Sequence, residues 1–587
     1  MKLRLFLGLS LIALTRFASA QTFSGTGGSI ITLSDTSRFN INVSGLSPAS
    51  VDYTFGLESV TININHSRAR DIDCFLAAPD GTLIMLTTDN GGTSGSNFTN
   101  TIFRNDAATS ITSGSAPFTG TYRPEGTLYN VNNGQNGNGT WQLRVIDDSN
   151  NGITGSLINW SINFGGNPAR PFLFSGSNLP IVVINTNGQS IPDDPKIICD
   201  MGIVNNGIGQ RNHLNDPFNE YNGKIAIEIR GSSSQSFPKK SYGFETRMPN
   251  GVTDTNVALL GMPSEHDWIL SANYTDKSFC RNVLLYQLSM EMGHYAARTR
   301  YVDVVLNGEY IGIYVLMESI KRDGDRVDID RLHPWENTAP DITGGYILKV
   351  DKTTGSGGEG WTSPYPPINH SNGQTTYLQY DYPDPDSISL QQKAYIQAYV
   401  DSFEDALSSS TFMDPINGYQ KYIGNGSWID YFFCNELSKN VDGYRISSYL
   451  YKDKNKTLKA GPVWDYDIAW GNANYCGGDD TTGWAYLFSC TGDGYQVPFW
   501  WQRLLQDTNY TNQLKCRWQD YRQNVLSQQH IFAIIDSITT LINESKDWNF
   551  TVWPILGQYV WPNPSPYPTT YAGEVQNLKN WVTTRLS

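Results

Sequence analysis

Three aspartates are the residues in this sequence best placed to do chemistry. Asp442 follows an apolar stretch with helical spacing, in Lys439-Asn440-Val441-Asp442-Gly443-Tyr444-Arg445. Asp465 and Asp467 come later, in Gly461-Pro462-Val463-Trp464-Asp465-Tyr466-Asp467. Residues two apart on an extended chain point to the same side, so both carboxylates can face one site. Magnesium binds carboxylate oxygens and keeps water and substrate phosphates as its other ligands. Phosphoryl transfer needs such a metal against the phosphates and an acidic group near the incoming hydroxyl. Upstream, Arg230-Gly231-Ser232-Ser233-Ser234 leads into Pro238-Lys239-Lys240-Ser241-Tyr242. Small residues let backbone N–H groups approach an anion, and a lysine adds positive charge. Taken alone, the same residues also suit ordinary turns, which small residues and aspartates commonly form.

The elements that must position these groups are legible around them. Short apolar runs over 181–184 and 224–229 predict strands on the near side of the small-residue turn. Val283, Leu284, Leu288 and Met292 have helical spacing, and Asp276 can cap that helix. Strands over 301–306 and 310–317 meet at Asn307-Gly308, a strong hairpin signal. The second ends at Glu318, where the chain turns polar. This order is that of a kinase small lobe and hinge, and it would set Glu318 near a bound adenine; a solvated strand-end carboxylate is the other reading. Helices are expected over 390–407 and over 428–437, the latter opened by a capping-box pattern at Ser427. A strand over 447–451 follows. The 531–541 segment and Phe499-Trp500-Trp501 read as helical core. The aspartate-rich stretch 323–330 lacks the terminal Glu of an EF-hand and reads as a solvated turn.

The chain has 587 residues, enough for two or three domains. Its net charge of −14 comes with no basic footprint, which argues against a nucleic-acid partner. Residues 1–20 carry Lys2 and Arg4, an apolar run over 5–14, and Ala18-Ser19-Ala20: the pattern of an export signal cut after Ala20. No later stretch is long enough for a membrane-spanning helix. A secreted or surface-held protein without a helical anchor is expected. Of seven cysteines, Cys476 and Cys490 flank a Gly/Asp/Thr-rich loop and are the expected disulfide, and the odd count leaves a thiol over. Sequons at Asn42, Asn97, Asn138, Asn273, Asn425 and Asn549 become glycans only in a eukaryotic host. The histidines are scattered singly, and neither a serine-nucleophile motif nor H-E-x-x-H occurs, so a protease is excluded.

From 21 to 168 apolar residues alternate, as in Val60, Ile62, Ile64, then Trp141, Leu143, Val145, then Ile158, Trp160, Ile162, Phe164. That period predicts an antiparallel β-sandwich. Leu76-Ala77-Ala78-Pro79-Asp80-Gly81-Thr82, Ala116-Pro117-Phe118-Thr119-Gly120-Thr121-Tyr122-Arg123-Pro124-Glu125-Gly126 and Gly139-Thr140-Trp141-Gln142-Leu143 resemble the P domain of proprotein convertases. Gly155-Ser156-Leu157 and Trp160 add to the match. The resemblance implies a jelly-roll module that stabilises a neighbour and has no catalytic residues.

The region from 181 onward resembles the CotH (spore-coat protein H) kinase family. The likeness rests on Arg230-Gly231-Ser232-Ser233-Ser234 with Pro238-Lys239-Lys240-Ser241-Tyr242, and Leu260-Gly261-Met262-Pro263 with Asp267-Trp268. It also rests on Asp276-Lys277-Ser278 with Arg281-Asn282, on 306–314 with Glu318, and on Trp464-Asp465-Tyr466-Asp467. The implied layout is a signal peptide over 1–20, a P-domain-like sandwich over 21–168, a linker over 169–180 and an α+β atypical protein-kinase-like domain over 181–587. The implied chemistry is ATP- and magnesium-dependent phosphorylation of secreted or surface proteins. By motif, Asp442 would be the catalytic aspartate, and Asp465, with Asp467, the metal ligand. Lys240 would hold the phosphates, beside Arg230, Ser232 and Ser233, with Arg281 and Glu318 as further nucleotide-binding candidates. The loop at Asp442 lacks H-R-D, and Ser447 stands where ordinary kinases carry a metal-binding Asn. The alternative is a non-catalytic adhesion or coat protein on the same fold.

Overall fold

The computed structural model describes residues 20–31, 35–92, 95–107, 109–149, 151–169, 174–352, 358–371, 373–490 and 493–587. The export-signal segment lies, up to residue 19, outside the described residues. The chain divides into two compact units, Met1–Leu173 and Phe174–Ser587.

Among its described residues the first unit has nine strands: β1 Gln21–Ser29, β2 Thr36–Val43, β3 Gly56–Asn65, β4 Ile72–Ala77, β5 Leu83–Thr87, β6 Phe98–Phe103, β7 Phe118–Tyr122, β8 Gly139–Asp147 and β9 Ser156–Gly165. They form a β1-β9-β3-β6-β7 sheet and a β2-β8-β4-β5 sheet. The inner faces supply one core that holds Val60, Ile62, Ile64, Trp141, Leu143, Val145, Trp160, Ile162 and Phe164. Ile158 departs from the expected alternation and is 59% exposed. Ile62 pairs with Trp160 but Ile64 pairs with Leu157, so a bulge makes Ile158 the extra residue and turns Leu157 inward.

The second unit opens with β10 Gly176–Ser177, β11 Ile181–Asn185, β12 Ile197–Val204, β13 Asn212–His213, β14 Tyr221–Arg230, β15 Ser241–Arg247, β16 Asp267–Ser271, α1 Arg281–Glu291, β17 Thr299–Leu306 and β18 Glu309–Glu318. Seven of these strands close a barrel in the order β11-β12-β14-β15-β16-β18-β17. The closing pair, β11 with β17, is parallel. Asn307 and Gly308 take φ of 53° and 87°, as a two-residue hairpin turn requires. Helix α1 starts later than Asp276, whose carboxylate nevertheless accepts the Arg281 N–H at 2.8 Å.

Next come β19 Tyr346–Val350, β20 Gly360–Thr362, β21 Tyr377–Tyr382, α2 Leu390–Ser408, α3 Asn425–Ser438, β22 Ser448–Lys452 and β23 Lys459–Ala460. The strands form one sheet, β20-β21-β19-β22-β23. Then follow α4 Trp500–Leu504, α5 Thr508–Gln523, α6 Gln528–Leu541, α7 Ser545–Val552 and α8 Tyr571–Leu586. Ser389 and Gln392 form a true capping box on α2. Ser427 does not cap α3, which begins a turn earlier; its hydroxyl donates back to the Gly424 carbonyl at 3.0 Å. Asp430, the other end of the expected box, instead binds His294 and Arg517. Cys476 and Cys490 are joined in a disulfide.

Helix α2 packs on α4 through a buried polar contact. Glu404 accepts from Trp500 Nε1 at 2.7 Å and from Ser363 Oγ at 2.8 Å, beside the rings of Phe403 and Trp428. Burial pushes its pKa from about 4.5 up to about 7. The folded state therefore holds this proton where the unfolded chain has lost it. The group's stabilisation is full below about pH 4.5 and is lost as pH rises through about 7. Glu404→Gln removes that dependence. Urea denaturation should show the variant gaining on the wild type by about 3 kcal/mol between the low and high ends of this window.

Candidate active site

One polar cleft of about 350 Å³ in the second unit gathers most of the residues singled out above. That volume lies in the range of small-molecule sites. Arg230, Ser232 and Ser233 line it from the turn between β14 and β15, and Asp442, Asp465 and Asp467 line it from two loops. Ser271, Ala272 and Met317 come from the barrel, and Lys349, Asp351 and Lys352 from the end of β19.

The loops are fixed from both sides. Helix α1 presents Asn282, whose Oδ1 accepts the Tyr466 N–H at 2.6 Å, and Tyr286, whose hydroxyl accepts the Asp465 N–H at 3.1 Å. Helix α3 contributes Asn435, which accepts from the Tyr466 hydroxyl at 3.0 Å. Thr275 donates to Asp467 at 2.9 Å. Arg445 binds Asp442 at 3.1 Å and Asp493 at 2.8 Å, so Asp442 is held by a cation itself pinned by a second carboxylate. Ser447 donates its N–H to Asp351 at 3.3 Å and stands 3.5 Å from Asp465. Lys439, Tyr444, Ser447 and Asp465 all have positive φ, between 46° and 69°. Positive φ is uncommon for non-glycine residues; Lys439 takes it as the C-cap of α3, and such backbone concentrates at functional sites.

Electrostatics single out the same groups. Burial raises the pKa of Asp465 well above the usual carboxylate value, and the charges of Asp467, Asp442 and Asp351 push it further. Asp467 and Asp442 are also raised, chiefly by burial. Arg230 opposes the rise at Asp465, and Arg445 and Lys352 oppose it at Asp442. The guanidinium of Arg230 lies 5.3 Å above the Trp464 ring. Converging, partly neutralised oxygen ligands of this kind suit a hard divalent cation.

Three expected residues are placed elsewhere. Lys240 does not line the cleft. It stands just before β15, and its amine donates to the Gln235 carbonyl at 2.6 Å. Its neighbour Lys239 borders the cleft but spends its amine on the Ile313 carbonyl at 2.5 Å and Asn549 at 2.9 Å. Glu318 is fully buried and binds Arg298 at 3.0 Å and Arg326 at 3.2 Å. The cleft side of that strand end is taken by Met317. Arg326 comes from the aspartate-rich 323–330 stretch, so that turn is not wholly solvated. Arg281 is buried against Asp276 as an internal ion pair, whereas adjacent Asn282 reaches the site. Asp351, Lys349, Lys352 and Tyr286 escaped sequence reasoning; the sole signal for Asp351-Lys352 was charge at the end of an apolar strand.

Comparison with known proteins adds family. Residues 227–587 match the CotH kinase protein model. The chain belongs to the CotH kinase family. Residues 58–164 match the proprotein convertase P-domain, which accounts for the sandwich. No curated protein matches this CotH kinase family chain. Among solved structures, the Aeromonas sobria serine protease is similar at 19% identity over 25% of this chain and 26% of that one, with a TM-score of 0.16. The same protease in complex with its chaperone ORF2 gives 18% identity, the same coverage and a TM-score of 0.16. This CotH family chain thus spans about a quarter of the length of those structures.

The positions of Arg230 and Lys240 yield a direct test. On the ATP and magnesium use that the family implies, Arg230→Ala should weaken MgATP binding about tenfold or more, whereas Lys240→Ala should leave it within about twofold, as read by calorimetric titration.

Proposed function

We propose that this protein is an exported atypical protein kinase that transfers the γ-phosphate of ATP to a side-chain hydroxyl of a secreted or surface protein. The observation that carries this reading is the meeting of Asp442, Asp465 and Asp467 in one cleft with Arg230 and the serine turn. Membership of the CotH kinase family supports it. The export signal read at residues 1–20 and the Cys476–Cys490 disulfide support an extracellular setting. Among the described residues, no helix is long and apolar enough to cross a membrane.

In this reading Asp465 and Asp467 hold magnesium, with Asp351 beside them. The metal, when bound, neutralises charge on the transferring phosphoryl group. Arg230 and the backbone of 231–234 cradle phosphate oxygens. Asp442 accepts the proton of the incoming hydroxyl, and Arg445 keeps its carboxylate turned to the cleft. Burial of Asp442 raises its proton affinity, which suits a group that must take up a proton.

The test is transfer of labelled phosphate from ATP with magnesium to the protein itself or to a casein-like acceptor. Asp442→Asn and Asp465→Asn should each lower the rate by about 10²-fold or more. Equal labelling by wild type and Asp465→Asn overturns the reading. The engagement of both lysine amines by protein groups, Lys239 by Ile313 and Asn549 and Lys240 by Gln235, favours one rival, a non-catalytic adhesion or coat protein. Calorimetry showing no heat at millimolar MgATP would select it.

A further inference from the structure

The sandwich unit, to which no chemistry is assigned, contains a buried cluster of His66, Asp71 and Asp147 whose ligand atoms lie within 4.8 Å of one another. His66 follows β3 in one sheet. Asp71 sits in the short 3-10 turn that leads into β4, and Asp147 ends β8; β4 and β8 belong to the other sheet. All three are at most 2% exposed.

The hydrogen bonding leaves a gap in the middle of this cluster. His66 Nδ1 lies 2.7 Å from the Arg68 carbonyl oxygen, the shorter of its two backbone contacts; the Arg68 N–H is at 3.2 Å. A ring that donates from Nδ1 carries a lone pair at Nε2. That nitrogen faces Asp147 Oδ2 at 3.4 Å, and both atoms are buried without a hydrogen-bond partner. A charge-assisted hydrogen bond would bring them to about 2.7–2.9 Å. Two ligands about 2.0–2.1 Å from a shared zinc ion, at the tetrahedral angle, stand about 3.4 Å apart. The outer contacts also fit a metal centre. The Nδ1–H to backbone carbonyl bond is the usual way a ligating histidine is oriented. Asn151 donates to Asp71 at 2.7 Å and the Ser149 N–H to Asp147 at 3.3 Å, leaving other carboxylate oxygens for a cation.

We propose that His66, Asp71 and Asp147 bind zinc, or a like first-row divalent cation, as a staple between the two sheets of the sandwich. One imidazole with two carboxylates suits such an ion, whereas calcium asks for six to eight oxygens. The site is independent of the phosphotransfer reading.

The test uses the full chain, stripped with chelator, reloaded with zinc and passed through gel filtration. Wild type should retain one more equivalent of zinc than His66→Gln, and the same one-equivalent difference should persist when both carry Asp465→Asn, which disables the cleft's own carboxylate cluster. Cobalt loaded in place of zinc should give the intense visible spectrum of a four- or five-coordinate site, lost in His66→Gln. Zinc should raise the unfolding midpoint of wild type by about 5 °C or more and leave that of His66→Gln unchanged. If His66→Gln fails to fold, the cobalt spectrum of wild type decides: no such spectrum overturns the proposal. Equal zinc retention by wild type and a folded His66→Gln also overturns it, and leaves the three residues as a buried polar cluster.

Discussion

Mutual repulsion among carboxylates is the constraint around which the second unit is organised. Asp442 is buried, and Asp465 and Asp467 are half-buried, in one cleft, with Asp351 close enough to raise the pKa of Asp465. Left alone, such charges would drive their loops apart. The chain holds them by using the backbone of the Asp465–Asp467 segment instead of its charges. Asn282 and Tyr286 of α1 bond two consecutive N–H groups, and Asn435 of α3 holds the Tyr466 hydroxyl. The segment is therefore pinned between α1 and α3.

The positive φ at Lys439, Tyr444, Ser447 and Asp465 belongs to the same arrangement. A helix end must turn sharply to deliver Asp442 and turn again to start β22. Gly443 has no room for a side chain, since a Cβ would fall 2.1 Å from Asn435 Oδ1. Much of the aromatic core around α3, including Trp428, Trp500 and Trp501, braces the helix from which this strained loop departs.

The sequence carried the sandwich, the hairpin at Asn307-Gly308, most helices and the three aspartates, because each is a local pattern: a period of two, a turn dipeptide, or charges beside an apolar run. It did not carry the closure of the barrel, which depends on a parallel pairing between β11 and β17 over a hundred residues apart. Nor did it decide between neighbours of like chemistry. Lys239 and Lys240 differ only in the face of the chain they occupy, and Arg281 and Asn282 differ by one step on a helix. Glu318 read as a functional end of a strand because its partners, Arg298 and Arg326, lie in segments whose approach no local signal announces. Asp351 was missed for the same reason: its importance comes from loops that fold up against it.

Closure of the barrel has a consequence for association. An open sheet offers backbone donors and acceptors along its outer strands, and such edges recruit foreign strands. In the ring β11-β12-β14-β15-β16-β18-β17 each strand already has two neighbours. A polypeptide approaching this wall of the cleft has no strand to extend, and must be recognised through side chains and turns.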